Sequence, residues 1–279
     1  MSGFRAVAIT GASRGLGAEL ARRFAAPGVR LLLVARSETA LREVAAECES
    51  RGAVARVAVL DVTEAAALAA ALAEFEAEGP VDLAIANAGT SFGTAPGGAT
   101  ERGDQAVRQV SVNLIGAMNL VGPLLPRMLA RGSGAVGLIA SVAGFRGLPD
   151  CAGYSASKAG MIAWGEALRA AHGRGGLRVT VVCPGFFDSA MGDRFLGAKP
   201  LRLSLDAAAV RIHRALLAGR GRVVFPAPLG WLLRLLALLP PALGDRAIRL
   251  ARFRVRPEGE GAWSRSRSGG IAGSGEDAR

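Results

Sequence analysis

Tyr154 and Lys158 are the residues whose types and spacing can move a proton. Tyr154 is the only tyrosine in the chain, and Lys158 is one of two lysines, the other being Lys199. The run Tyr154-Ser-Ala-Ser-Lys158 opens a stretch of helical patterning, so the two side chains share a face. A phenol with a pKa of about 10 is a poor acid or base at neutral pH. A neighbouring ammonium favours the phenolate and lowers that pKa toward the working range, and the charge of a cofactor can assist. Tyr154 can then protonate a carbonyl oxygen during reduction, or take a proton from an alcohol in reverse. Ser141 closes an apolar run, where its hydroxyl can donate to the same oxygen and polarise it. The plainer alternatives are a packing tyrosine with its hydroxyl at the surface and a strand-end turn serine. The rarity of both Tyr and Lys in this chain weighs against a chance pairing.

The elements that must position these residues follow from the hydrophobic pattern. Arg5–Thr10, Val29–Ala35, Val54–Leu60, Val81–Ala86, Gly134–Ala140, Leu177–Val182 and Arg222–Phe225 are apolar throughout rather than alternating. That is the pattern of parallel strands covered on both faces. Helical segments lie between them at Gly15–Ala26, Glu38–Ser50, Glu64–Glu78 and Tyr154–His172. The alternation predicts a doubly wound, mostly parallel α/β sheet of Rossmann type, with ligands at the carboxyl ends of its strands. No internal linker interrupts it, so residues 1–256 are expected to form one domain. Within that domain, 228–256 form a C-terminal helical extension and 257–279 a disordered tail.

The first strand runs into Thr10-Gly-Ala-Ser-Arg-Gly-Leu-Gly17 and then into a helix. Gly11, Gly15 and Gly17 let the backbone turn tightly and approach a pyrophosphate at the positive end of that helix, with Ser13, Arg14 and Leu16 in the same loop. The second strand ends at Ala35-Arg36 with no acidic residue to hold a ribose 2′-hydroxyl. Arg14 and Arg36 would instead suit a 2′-phosphate, which arginine binds in a fork, so NADP(H) is expected over NAD(H). The competing reading is two solvated arginines in an arginine-rich chain.

The order and spacing of these motifs resemble the short-chain dehydrogenase/reductase family in its single-domain form, over roughly residues 4 to 225. The resemblance rests on TGASRGLG (10–17), Asp61-Val62, Asn87-Ala88-Gly89, Asn113, Ser141, YSASK (154–158) and Pro184-Gly185. It implies hydride transfer at a nicotinamide, with Tyr154 as the proton donor and Asn113 holding a water that relays protons to Lys158. It implies that Lys158 also binds the nicotinamide ribose. Asp61 and Val62 would contact the adenine, and Asn87, Ala88 and Gly89 would line the ribose and brace the sheet. Pro184, Gly185, Phe187 and Ser189 would hold the carboxamide. For Asn113 the plain alternative is a helix hydrogen bond. The sequence departs from the family at Ala86, where many members have asparagine, and at Ser189, where many have threonine.

Composition bounds the rest. The formal charge of +11 comes almost wholly from arginine, which reads equally as a composition bias or as a basic surface. No nucleic-acid-reading motif accompanies it. Cys48, Cys151 and Cys183 form no pair, which suits a reducing cytoplasm, and two histidines argue against a zinc site, so no metal is expected. The N-terminus runs straight into a strand pattern, leaving no room for a signal peptide. Phe145, Leu148, Phe186, Phe187, Met191, Phe195 and Leu196 favour an apolar carbonyl substrate, with core packing as the alternative.

Leu229–Leu239 is apolar around most of its circumference, and Gly244–Arg256 reads as a basic helix with Arg246, Arg249, Arg252 and Arg256 on one arc. This pair could pack over the pocket, on a partner copy in a homodimer or homotetramer, or on a membrane surface. Together these features suggest a lipid-like ketone, such as a 3-keto sphingoid base or a 3-ketoacyl compound. The rival functions are epimerase or dehydratase chemistry on nucleotide sugars, a non-catalytic dinucleotide sensor or scaffold, and a membrane-surface binding module. An intact proton-transfer set argues against the sensor.

Overall fold

The computed structural model describes residues 3–93, 101–196 and 199–250, and the backbone of 254–255. Seven strands build one parallel sheet: β1 (Ala6–Thr10), β2 (Arg30–Ala35), β3 (Val54–Val59), β4 (Leu83–Ala86), β5 (Gly134–Ile139), β6 (Leu177–Pro184) and β8 (Arg222–Phe225). Their order is β3-β2-β1-β4-β5-β6-β8. β1 is central, with Val7 opposite Leu31 on one side and Leu83 on the other. The winding reverses between β1 and β4, so a crevice opens beyond the carboxyl ends of those two strands.

Successive strand residues feed two cores, one on each face. Val7, Ile9, Leu31, Leu33 and Ile85 pack under α1 (Gly15–Phe24), α2 (Glu38–Glu49) and α9 (Leu205–Leu217). Ala8, Leu32, Val34, Val136, Leu138 and Val181 pack under α3 (Ala65–Glu76), α5 (Gly116–Val121) and α7 (Ala152–His172). Each leucine fully removed from water contributes about 2 kcal/mol before entropy is counted, and both faces hold several. α4 (Gly103–Val110) and α6 (Leu125–Ala130) flank α5, with a π-helical turn at Ser111–Ile115 between α4 and α5. The stretch 103–130 is long and apolar enough to cross a membrane by length and composition. Here it is a core layer, with α5 against β4 and α4 against α7.

After β6 come the short α8 (Ala190–Asp193) and β7 (Phe195–Leu196). After β8 come α10 (Ala227–Leu238) and α11 (Pro241–Leu250), which pack on each other, with α10 also against β8. The expected basic helix over Gly244–Arg256 is corrected: α11 ends at Leu250, and β9 (Arg254–Val255) pairs antiparallel with β7. The physical reason is local pattern, because Arg-Phe-Arg-Val-Arg alternates with period two and suits a strand. Arg252, Arg256 and the expected disordered tail 257–279 lie outside the described residues.

Candidate active site

α7 carries Tyr154 in its first turn and Lys158 one turn further on. Gly153 makes this placement feasible, since a Cβ there would lie 2.7 Å from Ala106 Cα, so only glycine lets α4 come this close to α7. The Gly153 amide donates to Glu101 Oε2 at 2.6 Å, which satisfies one of the free donors at the helix start. Lys158 is buried and donates from Nζ to Ile139 O at 2.7 Å, with its nitrogen 5.6 Å from the centre of the Tyr154 ring. Burial lowers its pKa to about 8.

Tyr154 behaves differently from the expectation drawn from its neighbour. Burial pushes its pKa up to about 12, a hydrogen bond with the Ser141 side chain pulls the other way, and Cys151 adds to the rise. The lowering expected from a nearby ammonium is therefore not seen, because desolvation is the larger effect. Ser141, at the end of β5, accepts from Ala143 N at 3.1 Å and lies 3.4 Å from Pro184 O, which ties it to the end of β6.

Asn113 is fully buried within the π-helical turn. Its Oδ1 accepts from Thr90 N at 2.7 Å, and its Nδ2 donates to Thr90 O at 3.0 Å and to Ser157 Oγ at 2.9 Å. The side chain thus has both amide protons engaged. A Cβ at Gly89 would lie 3.3 Å from Asn113 Oδ1 and 3.7 Å from Lys158 Nζ, so Gly89 faces both.

The dinucleotide end is built where the crevice predicts. Gly11 has φ +68, and a Cβ at Gly17 would lie 2.2 Å from Gly11 O and 2.5 Å from Asn87 Nδ2. Asn87 clamps the turn by donating from Nδ2 to Thr10 O at 3.0 Å and Gly11 O at 3.2 Å. No side chain caps the N-terminus of α1, whose first turn holds no acidic residue, and Gly15 faces open space. Those features fit a pyrophosphate. Ser13 and Leu16 stand in this loop, half-buried and buried respectively.

Arg14 and Arg36 are both exposed, and Arg36 Nη1 lies 3.9 Å from Asp61 Oδ2. Asp61 also takes a hydrogen bond from Arg108 and bonds from Thr63 N and Oγ1, while Val62 is buried beneath it. Ala88 is partly buried against the core. At the far end, Gly185 N donates to Phe225 O at 2.6 Å, and Ser189 Oγ caps α8 by accepting from Gly192 N at 3.0 Å.

Four contributors were missed by the sequence reading. Thr10 Oγ1 accepts from Asn87 N and Ala88 N at 3.1 and 3.2 Å, joining the ends of β1 and β4. Ser157 bridges Asn113 and Tyr154 O, the latter at 2.7 Å. Both sit inside motifs already singled out, and their position there was the available signal. Glu101 and Arg108 act across the fold and carry no local signal. The apolar set is divided: Phe186 and Phe195 meet edge to face at 5.5 Å, whereas Phe187 packs against the opposite core with α1 and α9. Among the described residues no group of three His, Cys, Asp or Glu could hold a metal.

Comparison with known proteins agrees with this fold. The family model described as short chain dehydrogenase matches residues 5–198. An uncharacterised oxidoreductase of Mycobacterium tuberculosis is 37% identical over 246 residues, covering 86% of this chain and 96% of that one. The ketoacyl reductase HetN of a Nostoc species is 36% identical over 183 residues, covering 65% of this chain and 63% of that one. A crystal structure of a variant of the actinorhodin polyketide ketoreductase with NADPH superposes with a TM-score of 0.71 at 28% identity, covering 81% of this chain and 97% of that one.

Proposed function

This chain belongs to the short-chain dehydrogenase family, and from that premise we propose that it reduces a carbonyl to an alcohol with NADPH, or runs the reverse step. The substrate we propose is apolar and lipid-like, of the 3-ketoacyl or 3-keto sphingoid class. The observation that carries the reading is the buried Lys158, with its nitrogen 5.6 Å from the centre of the Tyr154 ring, beside a phenol whose pKa the Ser141 side chain influences.

When bound, NADPH supplies the hydride. Ser141 orients the carbonyl oxygen with its hydroxyl, which accepts from Ala143 N and would turn its proton from Pro184 O, 3.4 Å away, to the substrate. Tyr154 gives its phenolic proton to that oxygen as the alcohol forms. Lys158 replenishes the proton and holds the nicotinamide ribose. The water that serves Lys158 rests on the backbone of the π-helical turn, because the Asn113 side chain is committed to Thr90 and Ser157. π-helical turns recur at functional sites. The α1 amino end takes the pyrophosphate, and Asn87, Ala88 and Gly89 border the ribose. Asp61 and Val62 flank the adenine, and Pro184, Gly185, Phe187 and Ser189 hold the carboxamide.

Arg14, which has no ion pair among the described residues, and Arg36 take the 2′-phosphate. Ketoacyl and polyketide ketoreductase relatives support carbonyl reduction. The apolar side chains Phe145, Phe186, Met191 and Phe195 support a substrate with a hydrocarbon chain. The test is cofactor oxidation with 3-keto compounds graded by chain length, in parallel with NADPH and NADH. Activity should rise with chain length, favour NADPH and vanish in Tyr154→Phe while NADPH still binds. Turnover retained in Tyr154→Phe sinks the assignment, and equal use of NADH sinks the 2′-phosphate site.

A further inference from the structure

We propose that the α10–α11 hairpin docks on an anionic phospholipid bilayer, lying in the headgroup layer rather than crossing it. α10 shows two opposite stripes. Leu229, Gly230 and Leu233 are buried against the protein, while Trp231, Leu232, Leu235 and Leu238 face out, 63%, 52%, 59% and 82% exposed. The outward positions recur at three and four residues, so they form one apolar face, bordered by Arg234, whose guanidinium lies 5.6 Å from the Trp231 ring centre. α11 continues it with Leu243 and Leu250, 57% and 76% exposed. At twelve residues, α10 is about 18 Å long, well short of a hydrocarbon core of roughly 30 Å.

Charge names the occupant. Residues 241–257 hold five arginines, Arg246, Arg249, Arg252, Arg254 and Arg256, against one acid, Asp245. Asp245 is already paired with Arg146 at 2.5 Å. Arg246 and Arg249 are exposed on α11 alongside Leu243 and Leu250. Guanidinium groups beside exposed leucines can reach lipid phosphates while the leucines enter the acyl boundary. Basic clusters of this size attract anionic leaflets. A second copy docking through this face would bring Arg246 and Arg249 of both copies into one interface, a like-charge crowding that disfavours that occupant.

The inner side of the hairpin reaches the segment that follows Ser141. A Cβ at Gly230 would lie 3.6 Å from Phe145, Arg234 stacks 4.2 Å from the Phe145 ring centre, and Asp245 holds Arg146. Docking would therefore bring lipid beside the pocket. That a lipid-like ketone enters there rests on the function proposed above; the docking itself does not.

The test is sedimentation of the full-length protein with vesicles of phosphatidylcholine, alone or with phosphatidylglycerol, without nucleotide or ketone. The wild type should bind the phosphatidylglycerol vesicles, release them in high salt and ignore the neutral ones. Trp231→Ser/Leu235→Ser and Arg246→Glu/Arg249→Glu should each weaken binding by about tenfold or more. Both should keep the wild-type melting temperature and reduction of a short, water-soluble ketone. Absent binding, or binding indifferent to both double variants, overturns the proposal. So does a wild-type dimer that Trp231→Ser/Leu235→Ser turns into a monomer with vesicle affinity unchanged. Inactivity of the wild type toward every ketone would overturn the proposed reaction and leave the vesicle result standing.

Discussion

With one tyrosine in the chain, the ionisation of Tyr154 can be followed directly by phenolate absorbance in the whole protein. Burial holds its native pKa at about 12 against an unfolded value of about 10. Folding therefore favours the protonated phenol, and the stability this gives is complete below pH 10 and lost as pH climbs toward 12. Lys158 has the opposite sign. Its native pKa of about 8 lies below the unfolded value of about 10.4, so its contribution improves as pH rises through that window. A phenolate titration of the cofactor-free protein should show a midpoint near 12, returning to about 10 in denaturant. Addition of NADP+ should draw the native midpoint down. A midpoint at or below 10 without nucleotide would mean that the protein alone activates the phenol. The residue types and spacing named this pair from the sequence, but the net direction of the Tyr154 shift was hidden there. It depends on how deeply α7 is covered, which no local spacing reports.

At the scale of elements, the nucleotide end depends on α1 lying against the turn that follows β1. Gly17 sits at that contact, where a Cβ would meet Gly11 O and Asn87 Nδ2 far inside contact distance. Gly17→Ala must displace α1 or expel the Asn87 amide from Thr10 O and Gly11 O. The expected cost is about 1–3 kcal/mol of stability from overpacking, with NADPH affinity falling further because the donors at the helix start are misaimed. Urea unfolding and NADPH titration by fluorescence would measure both, and unchanged affinity would refute the account of the turn. Gly17 was legible because a glycine between a first strand and a first helix has a known physical use. The strand pattern was legible for the same kind of reason, although β3, expected to be covered on both faces, is an edge strand with Val54 and Val59 exposed. The C-terminal segment was not. Arg246 and Arg249 fit a helix, and only the shift to period two beyond Leu250 marks β9, whose partner β7 lies some sixty residues earlier. The π-helical turn at Asn113 left no trace in composition at all.

Across the described residues, many arginines are held by acids or by backbone carbonyls. Arg56 pairs with Glu74 and Glu78, Arg127 and Arg131 with Glu76, and Arg202 with Asp188 and Asp193. Arg30 and Arg169 donate to backbone carbonyls. One such arginine joins distant parts of the chain over the crevice. Arg194, at the end of α8, donates to Ser91 O at 2.6 Å and to Phe92 O, tying the segment after β6 to the segment after β4. β7 follows directly and is held by β9, so the wall over the substrate region is anchored from two sides. Removing the guanidinium would leave two carbonyls without a charged donor, a loss of roughly 1.5–3 kcal/mol for each bond. The wall would then be free to shift. Positioning losses of this kind cost about ten- to a hundredfold in rate. Arg194→Ala should therefore lower kcat/KM for a long-chain ketone by about that factor, mainly through KM. The Tyr154 titration should stay as in the wild type, because Ser141 and Cys151, which shift it, lie outside α8, and NADPH affinity should change little, because Ser189 precedes α8 whereas Arg194 follows its last residue. Arg194→Lys, which keeps one donor, should recover part of the loss. Steady-state kinetics alongside NADPH titration separate the outcomes. A normal KM in Arg194→Ala would show that this wall takes no part in holding substrate, whereas loss of NADPH binding would place the tie in the cofactor site instead.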